Sequence, residues 1–143
     1  MKEHLKIKVK SAPSDPGVYQ FFNSEKKIIY IGKAKNIRNR VRTYFQSSKN
    51  QSSKTITMVK HIEEIEWIIV RNEVEALMTE ANLIKRYQPR YNIDLRDDKS
   101  YPFIRITKEP YPQVFITRTI VQDGSKYFGP FTDSKQLRIM LKA

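Results

Sequence analysis

The sequence contains no cysteine, and this absence excludes disulfides and thiolate-bound zinc. Histidine is scarce too: His4 and His61 stand far apart, so neither a histidine metal cluster nor a Ser–His relay is indicated. The longest wholly apolar runs, at 28–31 and 67–70, are far shorter than the roughly 20 residues that span a bilayer. The first ten residues carry no export signal. We therefore expect no membrane partner, and a cytoplasmic location agrees with the lack of cysteine.

Acidic residues are few relative to basic ones. The chain has 27 Lys plus Arg against 15 Asp plus Glu, which gives a formal net charge of +12 in 143 residues. A hydrophobic fraction of 39% is enough for a folded core. A field of this sign attracts polyanions, and counterion release makes nucleic acid the favoured partner over neutral metabolites.

Apolar periodicity predicts an α/β protein of the α+β type, with a short antiparallel sheet flanked by helices. We predict two domains, residues 1–98 and a C-terminal β-extension at 99–143. The last helix opens at an N-cap and has no C-cap, so we expect a piece of a longer protein. The predicted strands are 17–22, 27–32, 65–70, 102–107 and 113–121, and the predicted helices are 34–45, 55–62, 72–87 and a C-terminal helix from 132. Turns are expected at 97–99 and 123–124, and an aromatic connection punctuated by Gly and Pro is expected at 127–131.

The first two strands form a predicted hairpin. A turn centred between Ser24 and Glu25 would place Tyr19 opposite Tyr30, on one side of the sheet. Cross-strand aromatic pairs commonly stabilise sheets, so packing alone explains this pair as well as chemistry at a phosphate does. Trp67, in an apolar strand run, is predicted to lie in the core.

The helix predicted at 72–87 places Glu80 near the centre of an apolar arc of roughly 220° that includes Val74 and Tyr87. A carboxylate there needs a compensating cation. One interpretation is that an Arg or Lys compensates Glu80 in a structural ion pair. The other is that Glu80 binds Mg²⁺, whose remaining ligands are waters and phosphate oxygens.

Basic residues crowd the helix predicted at 34–45. Arg40 and Tyr44 are i, i+4 neighbours, and Lys33 would project with them if the helix began early enough. Such a group could stabilise negative charge on a phosphate, or it could be a solvated basic face. Arg38 and Arg42, on the other flank, are better placed to bind neighbouring phosphates.

Several motifs together carry a family resemblance. They are Gly17-Val18-Tyr19, Tyr30-Ile31-Gly32, Lys33-Ala34-Lys35-Asn36, Arg40 to Phe45, Glu75 to Lys85, Pro89-Arg90-Tyr91-Asn92, Asp97 to Pro102 and Tyr127-Phe128-Gly129-Pro130. In order and spacing they resemble the GIY-YIG nucleases and, within them, the N-terminal domain of the UvrC branch from bacterial nucleotide excision repair.

The resemblance implies a metal-dependent endonuclease that hydrolyses one phosphodiester of damaged duplex DNA, on the 3′ side of a lesion, as part of the DNA-damage (SOS) response. It implies Mg²⁺ or Mn²⁺ as cofactor, with Glu80 as the sole protein ligand. UvrB is the implied protein partner, through regions beyond this chain. The implied active-site residues are Tyr19, Tyr30, Lys33, Arg40, Tyr44, Glu80 and Asn92, with Lys35, Arg38 and Arg42 binding the DNA backbone.

In the implied mechanism, Tyr30 acts as general base, with Lys33 lowering its pKa, and Tyr19 could exchange roles with it. Arg40 stabilises charge, while Asn92 and Tyr44 orient the phosphate or its neighbours. The competing interpretation is a non-catalytic DNA-docking module, in which Glu80 only neutralises a neighbouring cation.

Overall fold

The structure is a computed structural model that describes residues 2–46, 51–92, 102–119, 121–129, 131 and 134–142. It divides into two compact units, Met1–Asn92 and Ile93–Ala143, and each is described by itself. The turn expected at 97–99 and the N-cap of the last helix lie outside the described residues. Within the described ranges, no helix has both the length and the apolar character needed to cross a membrane.

The first unit combines helices with one antiparallel sheet of order β2-β1-β3, which confirms the predicted fold class. Its elements are α1 (Glu3–Ser11), β1 (Gly17–Phe22), β2 (Ile28–Ala34), α2 (Ile37–Tyr44), α3 (Ser53–His61), β3 (Glu64–Ile69) and α4 (Glu73–Tyr87). Helix α1 was not predicted, because its alternating charges hide the only signal, Leu5 and Val9, which are spaced i, i+4 and buried.

Side-chain alternation along β1 gives the sheet two apolar faces. On one face, Tyr19 and Phe21 pack with buried side chains of α1, α2 and α3. On the other face, Val18 and Ile31 pack against Ile84 of α4. The sheet is therefore covered by helices on both sides, and side chains from either layer can reach the edge of β2.

The predicted hairpin forms, but its predicted register is wrong. Tyr19 lies opposite Gly32, and Tyr30 lies opposite Phe21. A bulge between Phe21 and Phe22 and a left-handed Lys26 (φ 62°) shift the turn away from a symmetric two-residue connection. Because the shift is by an even number of positions along the strand, the two tyrosines still share one face.

Local capping explains why the helices begin where they do. The Asn36 side chain accepts from the Asn39 N–H at 3.0 Å, and the Asn72 side chain accepts from the Glu75 N–H at 2.9 Å. Helix α4 ends at Tyr87, where the capping residue Gln88 adopts the left-handed conformation (φ 46°) immediately before Pro89.

Two predictions about burial need correction. Trp67 is only half-buried, with the Lys8 Nζ 5.1 Å from its ring centroid, because β3 is an edge strand. On α4, Val74 and Tyr87 are 42% and 46% exposed. Helix α4 packs mainly on β2 and β1, so its buried face is narrower than the predicted arc.

The second unit holds another antiparallel sheet, of order β5-β4-β6. The segment expected to be a Gly-Pro connection begins instead with a strand, because residues 126–128 pair with β4. The strand expected to run to residue 121 ends at Thr117, while the predicted turn at 123–124 contains Gly124 at φ 86°. The elements are β4 (Phe103–Ile106), β5 (Val114–Thr117), β6 (Lys126–Phe128) and α5 (Ser134–Lys142).

Candidate active site

Three tyrosines meet beside the edge strand of the first unit. Tyr19 of β1, Tyr30 of β2 and Tyr44 of α2 have ring centroids 5.8 to 6.2 Å apart. The hydroxyls of Tyr19 and Tyr44 lie 2.7 Å apart and share a buried hydrogen bond. The structure thus adds Tyr44 to the predicted tyrosine pair, and a phenol cluster rather than a two-ring contact forms the site.

Glycine at position 32 makes room for this cluster. A Cβ on Gly32 would overlap the Cζ and Oη of Tyr19, which lies across it on the neighbouring strand. A Cβ on Gly17 would overlap the Ile68 carbonyl oxygen and the Ile37 side chain. Both glycines of the motif are therefore required by close approach, and neither has a positive φ.

Burial controls the protonation of the phenols. Desolvation, followed by the charges of the neighbouring tyrosines, raises the pKa of Tyr19 well above its ordinary value. Desolvation also raises the pKa of Tyr30, and Tyr44 and Glu80 add to it. Arg40 acts to lower the pKa of Tyr30, but burial outweighs it, and both phenols are neutral at pH 7; the predicted effect of Lys33 stays a prediction.

Arg40 supplies a positive charge at the cluster. Its Cζ lies 5.1 Å from the Tyr44 ring centroid, one helical turn away on α2. Partial burial works against the charge, but the interactions with Tyr19 and Tyr44 outweigh it and the pKa of Arg40 lies above its ordinary value. The guanidinium is thus permanently charged.

Lys33 reaches the same place by a route that the sequence did not predict. It belongs to β2, and α2 begins only at Ile37, so Lys33 does not share a helix face with Arg40. Both residues nevertheless line one shallow cleft of about 400 Å³, together with Lys35 and Asn39. This cleft offers several cations to a phosphate.

Glu80 is buried on α4, as the sequence predicted, with only 4% of its surface exposed. Ala76 and Ile84, one turn before and after it, are buried as well. Glu80 is close enough to Tyr30 to act on its charge, so the carboxylate and the tyrosine cluster belong to one site. Among the described residues, no group of three or more His, Cys, Asp or Glu could hold a metal ion.

The donor set at Glu80 fits a hard divalent cation. A single carboxylate oxygen donor is what Mg²⁺ accepts when water and phosphate oxygens supply its remaining ligands. Burial gives the carboxylate reason to hold a positive charge. Tyr30, whose pKa the Glu80 carboxylate helps to raise, provides a further oxygen group in its vicinity.

Asn92 was predicted to orient the phosphate, and in the structure its side chain is hydrogen-bonded to the protein backbone instead. Its side-chain oxygen accepts from the Ile31 N–H at 2.8 Å, and its amide nitrogen donates to the Ile31 carbonyl oxygen at 2.9 Å. Asn92 is 3% exposed. The amide therefore completes the edge of β2 between Tyr30 and Gly32, and it acts on the site by positioning that strand. No sequence pattern distinguishes such a use of asparagine.

The three residues predicted to bind DNA backbone differ in their protein contacts. The Lys35 Nζ lies 3.3 Å from a Glu73 carboxylate oxygen. The Arg38 Nε donates to the Ala12 carbonyl oxygen at 2.7 Å, which ties α2 to the end of α1. Arg42 donates to the Asn39 side chain at 3.2 Å and is exposed. Their binding to DNA stays a prediction.

Comparison with known proteins gives consistent results. Residues 15–93 match the model of the UvrC-like GIY-YIG domain. The chain is 55% identical over 134 residues to the UvrABC system protein C of Chlorobium phaeobacteroides, an alignment that covers 94% of this chain and 21% of that protein. The chain thus spans about a fifth of the length of the curated relatives that it matches.

Solved structures extend the likeness to the fold. The GIY-YIG N-terminal endonuclease domain of UvrC from Thermotoga maritima, bound to magnesium as its catalytic divalent cation, is 47% identical with a TM-score of 0.58, and the match covers 64% of this chain and 99% of that one. A tyrosine-to-phenylalanine variant of the same domain, also bound to its catalytic divalent cation, is 46% identical with a TM-score of 0.58 and covers 64% and 98%.

Proposed function

This chain belongs to the UvrC-like GIY-YIG family and contains its endonuclease domain, and from that premise we propose that it hydrolyses a phosphodiester of damaged DNA in nucleotide excision repair. The observation that carries the proposal is the meeting of a buried carboxylate, a phenol cluster and a guanidinium that lies over one of the phenol rings. Glu80, Tyr30 and Arg40 come from three different elements. A DNA-docking module needs basic residues but no such convergence.

Glu80 would hold the divalent cation, Mg²⁺ or Mn²⁺. When bound, such an ion polarises the phosphate and assists departure of the leaving oxygen. The Thermotoga maritima tyrosine variant keeps its cation, which supports a carboxylate rather than a phenol as the ligand.

Arg40 and Lys33 bind and orient the phosphate in the cleft that they both line. The guanidinium, held over Tyr44, faces the position where negative charge grows during attack on phosphorus. Lys35, Arg38 and Arg42 bind the flanking phosphates through their remaining donors.

Tyr30 positions the attacking water, and the small fraction of Tyr30 that is deprotonated takes a proton from that water at the phenolate oxygen. A phenol with its pKa raised is a poor base at neutral pH, because its deprotonated fraction is below the roughly 10⁻³ of a free phenol of pKa ~10. The nicking rate should therefore rise about tenfold per pH unit between pH 7 and 9, a slope that Tyr30→Phe would abolish.

The substrate and partners follow from the family. We place the incision on the 3′ side of a lesion, with UvrB delivering the damaged strand through parts of the full-length protein. Because the substrate is the bacterial genome, the protein acts in the cytoplasm.

A metal-dependent nicking assay on damaged duplex, with and without UvrB, tests this function. We expect nicking with Mg²⁺ or Mn²⁺, none with EDTA, and loss of nicking and of Mn²⁺ binding by calorimetry in Glu80→Gln. Glu75→Gln, an exposed-side change on the same helix, is the matched control and should keep both. Metal binding that survives in Glu80→Gln would contradict the assignment.

The alternative is a DNA-docking module without catalysis. The observation behind it is the set of exposed basic side chains on α2, namely Arg38, Arg40 and Arg42. Docking alone predicts DNA binding that is indifferent to Mn²⁺ and to Tyr30→Phe, with no nicking under any condition. The same assay therefore separates the two functions.

A further inference from the structure

A second concave site lies at the other end of the β1–β2 hairpin. The cleft encloses about 890 Å³ between the hairpin tip, β3 and the C-terminal end of α4. Its lining includes Ile28 of β2, five residues before Lys33, so it lies about 17 Å along the strand from the catalytic cleft. The catalytic residues described above do not line it.

The floor of this cleft includes the side chain of Gln20. Gln20 is 8% exposed and lines the cleft, on the sheet face opposite Tyr19. Within the described part of the chain its side chain makes no hydrogen bond. Among the described residues no fully buried side-chain nitrogen or oxygen lacks a partner, so the amide atoms of Gln20 reach the solvent of the cleft, where they can donate to and accept from a ligand. Glu66 of β3, which pairs with Gln20 of β1, adds a carboxylate acceptor to the same lining.

The walls supply flat rings and positive charge. Tyr87 and Tyr91 line the cleft, and the Arg90 Cζ lies 5.6 Å from the Tyr91 ring centroid. Lys60 and Arg90 also line it and make no ion pair within the described residues. Rings that stack on a base, an amide that reads its edge and cations that bind phosphate are the components of single-strand nucleotide recognition.

We propose that this cleft, floored by Gln20 and Glu66 and walled by Tyr87 and Tyr91, binds one unpaired nucleotide of the DNA strand, several base steps from the phosphate that is cut. The amide donates to and accepts from the base edge, and the Glu66 carboxylate accepts from an exocyclic amino group. Unpaired adenine, cytosine or guanine is therefore favoured over thymine, which has no amino group. The inference rests on DNA being the substrate of the proposed function.

The test is fluorescence anisotropy of the full chain with labelled duplexes in EDTA, where nicking does not contribute. The duplexes carry one unpaired dA, one unpaired dT, one abasic site, or no unpaired position. We expect the unpaired dA duplex to bind roughly tenfold more tightly than the fully paired one. Gln20→Leu and Tyr87→Ala should remove that preference, and Gln46→Leu, the same change at an exposed position, should keep it.

Because Gln20 has little exposed surface, the fold of each variant is checked by urea unfolding, and Glu66→Ala, which removes an acceptor at an exposed position, provides a second test that does not disturb the core. Equal affinity for paired and unpaired duplexes, or a preference that Gln20→Leu and Glu66→Ala both keep, would overturn the proposal. So would Glu66-dependent binding of a Lys-rich peptide without any nucleotide preference. A chain that shows the dA preference but never nicks would leave this cleft standing and refute the nuclease.

Discussion

Replacing Asn92 by alanine tests whether one side chain maintains the edge of the catalytic strand. The amide makes two hydrogen bonds to the backbone of Ile31, a residue with no exposed surface. Removing it leaves a buried N–H and a buried carbonyl oxygen without partners. At about 1 to 3 kcal/mol for each unsatisfied group, Asn92→Ala should cost about 2 to 6 kcal/mol of the free energy of unfolding.

Urea unfolding monitored by tryptophan fluorescence measures this loss. Trp67 is the only tryptophan and lies opposite Tyr19 in the same sheet, so its signal reports on the first unit alone. With an m-value of about 2 kcal/mol/M, the midpoint should fall by about 1 M or more. Asn39→Ala, at an exposed asparagine of α2, should change the free energy by less than about 0.5 kcal/mol.

Asn92→Asp sharpens the interpretation. A protonated aspartic acid can still accept from the Ile31 N–H and donate to its carbonyl oxygen, whereas the ionised form can only accept. Its stability relative to the asparagine protein should therefore recover as pH falls through the pKa of the new carboxyl. A loss below about 0.5 kcal/mol in Asn92→Ala, or no pH dependence in Asn92→Asp, would refute the reasoning.

Three further predictions concern the phenol cluster. Gly32→Ala should lower stability by about 1 to 3 kcal/mol and abolish nicking, because its Cβ meets the buried Tyr19 ring; an unchanged melting temperature would contradict this. The raised pKa values of Tyr19 and Tyr30 keep protons on the folded state that the unfolded chain loses first, so stability should fall as pH rises above about 10, and less steeply in Tyr19→Phe; chemical denaturation from pH 8 to 11 measures it. Arg40→Lys keeps the charge but loses the planar group over Tyr44, so nicking should drop about tenfold with stability within about 0.5 kcal/mol, and full activity would show that charge alone suffices.

The helical periodicity of residues 73–87 was enough to predict a buried carboxylate. Spacing at about 100° per residue places Glu80 between Ala76 and Ile84 in any α-helix, and the structure confirms its burial. The same periodicity overestimated the apolar face, since Val74 and Tyr87 are exposed. How much of an amphipathic helix is covered depends on the width of the sheet beneath it, which no pattern within the helix contains.

The pattern of the hairpin strands likewise predicted only part of the geometry. Alternation along two strands predicted that Tyr19 and Tyr30 share a face, and a register error by an even shift left that prediction intact. The bulge at Phe21 and Phe22, which set the true register, has no distinct sequence signal. Lys33 was placed with Arg40 by helical spacing, yet a strand and a helix bring them to one cleft.

The sequence by itself determined the charge, most of the helix and strand segments, the motif residues and the burial of Glu80, because each depends on composition or on short-range periodicity. Tertiary structure decided that Tyr44 joins the other phenols, that Asn92 pairs with Ile31 and that burial raises the pKa of Tyr30. These features depend on contacts between residues that are 25 and 61 positions apart in the chain, and on the water that packing excludes. Neither the long-range contacts nor the exclusion of water can be predicted from a local stretch of sequence.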